Sequence, residues 1–174
     1  MNFLKKLCPA VYAKSVYEVD YAKLRSRGIS GLIFDIDGTL VPHGMPPEPE
    51  TEALFEMLRR ENFDIVLLTD NDRNRAEAFA SAVGVKFVCD AEKPKENGYL
   101  EALKIIGREK DETAVVGDRL FKDIAGANGC GITSVFVGYR KKDGERRIGK
   151  SRMLEKLLIR LFVSTGMLAD SSKR

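Results

Sequence analysis

Long apolar runs are missing from this 174-residue chain. None approaches the roughly 20 residues needed to cross a bilayer, so no spanning helix is expected. The opening MNFLKKLCPAVYAK is interrupted by Lys5 and Lys6, and no sustained apolar stretch follows, so no secretory signal is expected either. Cysteine is scarce: Cys8, Cys89 and Cys130 lie far apart, odd in number and without CxxC spacing. That argues against a disulfide framework and a zinc site, and for reduced structural thiols in a cytoplasmic protein. Charge excess is also absent. With 29 Lys and Arg against 26 Asp and Glu, the net charge of +3 argues by itself for neither a nucleic-acid nor a membrane partner. No internal repeat or low-complexity linker divides the chain, and its length suits one domain, 1–174, with one core.

What is present is alternation. SGLIFD (Ser30 to Asp35) is a short apolar run of the kind found in buried strands. PEPETEALFEMLRREN follows as a helix with Ala53, Leu54, Met57 and Leu58 at helical spacing and acidic residues near its start. FDIVLLT is a second strand, NDRNRAEAFASAVG a helix closed by Gly84, and VKFVCD a third strand. PKENGYLEALKIIG is a helix opened by Pro94, TAVVGD a fourth strand, RLFKDIAGANGCG a short helix, and ITSVFVG a fifth strand. Strands separated by helices imply right-handed crossovers, hence an α/β fold with a mainly parallel five-stranded sheet covered on both faces. Ligands of such sheets sit beyond the C-terminal strand ends. Here those ends are Asp35, Thr69, Asp90 and Asp118.

The pair Asp35 and Asp37, in GLIFDIDGTLVPHG, sets like charges two positions apart. On a continued strand they would face opposite sides, but Gly38 lets the chain turn and both can approach one site. A divalent cation relieves their repulsion, and Mg2+ suits a few carboxylates with water and phosphate oxygens. Asp118, directly after Gly117, supplies a third carboxylate, and Asp123 follows about one helical turn on. A phosphate ligand would also need a cation from the protein, which Lys93 or Lys95 in DAEKPKENG can provide. Thr69 can hydrogen-bond a phosphoryl oxygen beside a helix start.

These four segments, FDIDGTL, LLTDN, AEKPK and VVGDRLFKD, resemble in order and spacing the motifs of the haloacid dehalogenase (HAD) superfamily of phosphohydrolases, over about Gly31 to Gly138. The resemblance implies a three-layer, Rossmann-like core spanning about residues 28–140, acting on a phosphomonoester with Mg2+ as cofactor. It implies Asp35 as nucleophile, forming an aspartyl-phosphate, and Asp37 as general acid and base. Thr69 would bind the phosphoryl group, and Lys93, chosen because it precedes Pro94, would neutralise charge. The implied phosphate-binding set is Asp35, Gly38, Thr69, Asp70 and Lys93. The implied metal set is Asp35, Asp37 (through its main-chain carbonyl), Asp118 and Asp123.

Asp37 and Thr69 are 32 positions apart, and Thr69 and Lys93 are 24 apart, too few in either gap for the cap domain that many of these enzymes carry. An open site is expected, suiting a bulky substrate or an oligomer that supplies the missing wall. The Pro-rich flap VPHGMPPEPE holds His43, the only histidine, expected as an exposed loop residue rather than a substrate contact. The uncapped arrangement is similar to the YqeG-type phosphatases, whose eukaryotic relatives dephosphorylate phosphatidylglycerophosphate. Two departures are Gly38, where that subgroup usually has Asn, and TDN, where it often has Ser-Asn-Asn. The competing readings are a lipid phosphatase, a phosphatase of a soluble sugar phosphate, nucleotide or nucleic-acid 3′-phosphate, and a non-catalytic binding protein of the same fold. No nucleic-acid partner is expected.

Arg140 to Arg160 contains nine basic and three acidic residues, and SRMLEKLLIRLF sets Leu154, Leu157, Leu158, Leu161 and Phe162 on one helical face. The expected helix, about 150–164, either packs that face on the sheet, the preferred expectation, or lies on an anionic membrane. The second outcome would place the protein peripherally at the inner face of a membrane. The final ADSSKR is expected to be disordered.

Overall fold

Leu32 and Phe34 point to one side of the strand GLIF and Ile33 to the other, and all four residues are buried. That two-sided burial makes this strand, β2 (Gly31–Phe34), central. The computed structural model describes residues 3–145 and 149–168, so the expectation for ADSSKR lies outside the described residues, as do Arg146 and Arg147. Around β2 lie β1 (Val11–Ala13), β3 (Asp64–Leu68), β4 (Lys86–Val88), β5 (Thr113–Gly117) and β6 (Thr133–Val137). They pair in the order β1-β6-β5-β2-β3-β4, every pair parallel. Among the described residues the sheet therefore has six strands, not the expected five. The extra strand is three residues long, too short to show a period in sequence, and it is recruited by β6 through Val11 opposite Val135. The sheet thus begins well before residue 28.

Among the described residues seven α-helices cover it: α1 (Phe3–Leu7), α2 (Tyr21–Ser26), α3 (Pro49–Arg60), α4 (Arg73–Val83), α5 (Glu96–Ile106), α6 (Ala125–Cys130) and α7 (Lys150–Ser164). Residues of α2, α3 and α4 pack with Leu32, Phe34 and Val116 on one face. Those of α5 and α6 pack with Ile33, Val66 and Val115 on the other, while α1 and α7 close a smaller cluster around Phe136. The three-layer α/β architecture follows from this split. Only a flap, α3 and β3 separate Asp37 from Thr69, and only α4 and β4 lead on to Lys93, so no cap domain is inserted.

Three local expectations need correction. The buried stripe of α3 is Thr51, Leu54, Phe55 and Leu58, while Met57 is exposed, because Phe55 takes the core position against Phe34. Helix α5 starts at Glu96 with Lys95 as its N-cap, so Pro94 lies in the preceding turn. On α7 the buried residues are Glu155, Ile159 and Phe162, and Leu154, Leu157 and Leu161 face outward. Among the described residues, no helix is long and apolar enough to cross a membrane.

Candidate active site

The strands β2, β3 and β5 end at Phe34, Leu68 and Gly117, and the next residue of each is Asp35, Thr69 or Asp118. Because β2 lies between β3 and β5, its C-terminal end is the topological switch point of the sheet. Asp35 stands there, its backbone N–H still bonded to the Val116 carbonyl (3.0 Å). Three residues later Gly38 takes φ +93°, a left-handed value that lets the chain fold back. A Cβ at Gly38 would lie 2.8 Å from the Tyr139 ring and 2.9 Å from Asp118 Oδ2, so the site leaves no room for a side chain there.

Lys93 is the hub. Its Nζ donates to Asp35 Oδ1 (2.6 Å), Asp123 Oδ1 (2.6 Å) and the Leu68 carbonyl (3.1 Å). Lys95, the other lysine of that motif, is exposed and pairs with Glu92. Asp70 braces the lysine loop: its carboxylate accepts from the Lys93 backbone N–H (2.8 Å) and from Lys122 Nζ (2.6 Å). The Thr39 hydroxyl lies 3.1 Å from Asp35 Oδ2 and 3.2 Å from Asp118 Oδ1, bridging two carboxylates. Asp123 sits in a π-helical turn (Leu120–Ile124), and its second oxygen accepts from the Arg119 N–H (3.0 Å). Gly117 makes this approach possible, since a Cβ there would overlap the Asp123 side chain.

Asp35, Asp118 and Asp123 are buried and offer oxygens within 4.8 Å of one another. Three carboxylates face the ammonium of Lys93 and the guanidinium of Arg152, which leaves a negative remainder inside the protein. An oxygen-only donor set with residual negative charge fits a hard divalent cation. Burial pushes the Asp35 carboxyl up to about 7, with Lys93 pulling back and Asp123 and Asp118 pushing further. Burial and Asp123 lift Asp118 to about 6 against the pull of Arg152. For Lys93, burial favours the neutral form, but Asp123 and Asp35 outweigh it and the pKa is raised.

Asp37 stands apart. Its side chain is outside the three-carboxylate cluster and accepts from Asn71 Nδ2 (2.5 Å), Arg75 Nη2 (3.0 Å) and the Gly44 N–H (2.9 Å). Burial opposes ionisation there, yet these donors together hold the pKa below the usual carboxylate value. The placement of Arg75 is local: Asp72 caps α4 through the Arg75 N–H (2.9 Å), which sets Arg75 in the first turn. His43 is exposed, with its ring nitrogen 3.8 Å from Asp37. Thr69 is buried at the end of β3, and its hydroxyl accepts from the Asn71 N–H (3.2 Å).

Sequence reading brought Asp35, Lys93, Asp118 and Asp123 forward, and the fold gathers all four. It did not single out Arg152, Arg75, Asn71 or Tyr139. Arg75 and Asn71 lie in and beside an ordinary helix start, where the capping residue Asp72 was the available signal. Arg152 and Tyr139 gave no signal of this kind, because they reach the site from segments that carry no motif.

The sequence pattern of the haloacid dehalogenase-like hydrolases matches residues 44–131, just over half of the chain. The chain belongs to that family, and it is an enzyme of the phosphatase type. The matched stretch contains Thr69, Lys93, Asp118 and Asp123, while Asp35 and Asp37 precede it. A probable phosphatase of Bacillus subtilis, YqeG, is 28% identical over 136 residues, which are 77% of this chain and 79% of that protein. The chloroplastic phosphatidylglycerophosphate phosphatase 1 of Chlamydomonas reinhardtii is 28% identical over 170 residues, 91% of this chain. The match spans 63% of that algal protein, less than two thirds of its length. Among solved structures, the cobalt-bound deoxy-D-mannose-octulosonate 8-phosphate phosphatase of Haemophilus influenzae superposes with a TM-score of 0.56 at 16% identity, covering 86% of this chain and 97% of that one. At that identity the likeness is one of fold.

Proposed function

We propose that the protein is a Mg2+-dependent phosphatase that hydrolyses a phosphomonoester through an aspartyl-phosphate on Asp35, and that its substrate is phosphatidylglycerophosphate. One observation carries the chemistry. Asp35 lies inside the buried Lys93, Asp118 and Asp123 cluster, while Asp37, two residues on, sits in a separate network with Asn71 and Arg75. Two carboxylates in two environments can take two roles, and a divalent cation at the cluster would favour the ionised, nucleophilic form of Asp35 against the effect of burial.

In the first half-reaction an Asp35 oxygen attacks phosphorus, the new O–P bond replaces the ester P–O bond, and a protonated Asp37 gives its proton to the departing alkoxide. In the second, ionised Asp37 takes a proton from water, the water oxygen attacks phosphorus, and Asp35 leaves with inorganic phosphate released. Lys93 keeps positive charge beside Asp35 throughout, and the Thr69 hydroxyl, at the end of β3, would hold a phosphoryl oxygen. Asp35, Asp118 and Asp123, with the Asp37 carbonyl, would hold Mg2+, which supplies the charge that phosphoryl transfer needs.

For the substrate, support comes from the algal relative's activity and from an uncapped site with no lid to exclude a lipid. The test is hydrolysis of p-nitrophenyl phosphate with and without Mg2+, followed by phosphatidylglycerophosphate beside soluble sugar phosphates and nucleotides. Asp35→Asn is expected to abolish turnover of every substrate, and retained activity sinks the nucleophile assignment. Faster turnover of a soluble phosphate than of the lipid sinks the substrate assignment alone.

A further inference from the structure

Helix α7 has two faces with different chemistry. The inner face is fixed to the body. Ile159 and Phe162 pack with Leu7, Leu120 and Phe136, and buried Glu155 accepts from Arg119 Nε (3.3 Å) and the Phe121 N–H (3.4 Å). Arg152 on the same helix reaches Asp118. The helix is therefore joined directly to the turn that carries Asp118 and Asp123.

The outer face is apolar and basic. Met153, Leu154, Leu157 and Leu161 are 61%, 49%, 62% and 45% exposed. Their spacing puts them on one stripe, roughly 100° wide, opposite the buried residues. Exposed Lys150 caps the stripe at its N-terminal end, and exposed Lys156 and Arg160 flank it. Within residues 149–168 the only acidic residue is Glu155, which is buried and already paired. The outward surface of α7 thus offers large apolar side chains and cations with no anion among them.

Both halves of that surface need a partner of matching chemistry. A second copy does not supply one: an isologous contact of α7 on α7 would bury the apolar stripe but bring the cations Lys150, Lys156 and Arg160 of both copies to one seam with no acidic residue on the outer face of either helix to pair them. An anionic lipid surface satisfies both, taking the leucines below the headgroups and the cations among the phosphates. We propose that the outer face of α7 docks on an anionic bilayer and so holds the rim of the active site against the headgroups. The surface stands on its own exposures and charges, whichever phosphomonoester the site takes.

The experiment is co-sedimentation of the full chain with vesicles of phosphatidylcholine containing phosphatidylglycerol, and with vesicles of phosphatidylcholine alone. Binding is expected to the first and to weaken with salt. Lys156→Gln with Arg160→Gln is expected to lower partitioning by about 25-fold, taking about fivefold per basic residue. Leu157→Ser is expected to lower it about tenfold. Both variants should turn over p-nitrophenyl phosphate as the parent does, since none of these residues enters the site, so a failed vesicle result is separable from a failed catalytic assignment. The chain has no tryptophan, so Leu157→Trp gives a sole reporter whose emission should shift to the blue on adding the anionic vesicles. No binding by the parent chain overturns the proposal. So does equal binding by the variants, an unmoved Trp emission, or a dimer that Leu157→Ser dissolves while vesicles leave it unbound.

Discussion

Arg152 of α7 rests its guanidinium on Asp118, with its Cζ 3.6 Å from the centre of the Tyr139 ring. The Asp118 carboxylate is wholly shielded from solvent and sits beside Asp123, so the guanidinium answers part of a buried negative charge. A cation bound by Asp35, Asp118 and Asp123 would draw on the same oxygens. Arg152→Ala removes the competitor and is expected to raise Mg2+ affinity about tenfold, the worth of one hydrogen bond between charged groups. The same change leaves the Asp118 carboxylate without its ion-pair partner and should lower the melting temperature of the metal-free protein, with Mg2+ restoring part of the loss. Titration calorimetry and thermal melts check both. An unchanged affinity means that Arg152 does not compete with the metal.

The raised carboxyls predict an unusual pH dependence. Asp35 at about 7 and Asp118 at about 6 both lie above the ordinary Asp value of about 4 in the unfolded chain. Between those values the folded protein binds more protons than the unfolded one, so this contribution to stability is full below about pH 4 and is lost as pH rises to about 7. Asp37 and Asp70 are lowered and act in the opposite sense, losing stability only as pH falls through the acid range. Metal-free protein should therefore melt lower at neutral pH than in mild acid, and Mg2+ should flatten the trend by stabilising the ionised forms. Melting temperature against pH, with and without Mg2+, reads it directly. A metal-free melting temperature that rises steadily from mild acid to neutral pH contradicts the burial account.

Much of this site could be read from the chain because its parts sit at strand ends. β2, β3 and β5 are short apolar runs with an unmistakable end, and the residue after each is Asp35, Thr69 or Asp118. The strand β1 could not be read, since three residues carry no period. The inner face of α7 was misread because its leucines outnumber its core residues. Hydrophobicity alone favours Leu157 and Leu161, but Glu155 turns inward to meet Arg119, and Ile159 and Phe162 turn inward with it. That preference depends on a partner 36 residues away in the chain, which local spacing does not encode.

Gly38 offers a test of packing within the motif. Ala at φ +93° costs about 1–2 kcal/mol in backbone strain alone. Its methyl group would press on the Tyr139 ring and on Asp118 Oδ2. Gly38→Ala is expected to destabilise the protein by about 2–3 kcal/mol. Mg2+ affinity should fall as well, because the displaced oxygen belongs to the proposed cation site. Denaturant unfolding and calorimetry would show it. A full loss of stability with unchanged Mg2+ affinity would mean that Asp118 adjusts and that the glycine serves the turn alone.

The last prediction separates Asp37 from its neighbours. Arg75 holds Asp37 Oδ1 at 3.0 Å and also donates to the Met45 carbonyl (2.6 Å), so it ties the acid to the flap. Its positive charge favours the ionised carboxylate and contributes to the lowered pKa. Arg75→Ala removes that influence while Asn71 and the Gly44 N–H remain, so the Asp37 pKa should rise. If Asp37 must be protonated to give its proton to the leaving group, the alkaline limb of the kcat/KM profile measured at saturating Mg2+ should move up with it. A purely structural Arg75 would lower the rate at every pH without moving the limb. Arg75→Lys keeps a cation near Asp37 and should hold the limb close to its original place even if the flap loosens.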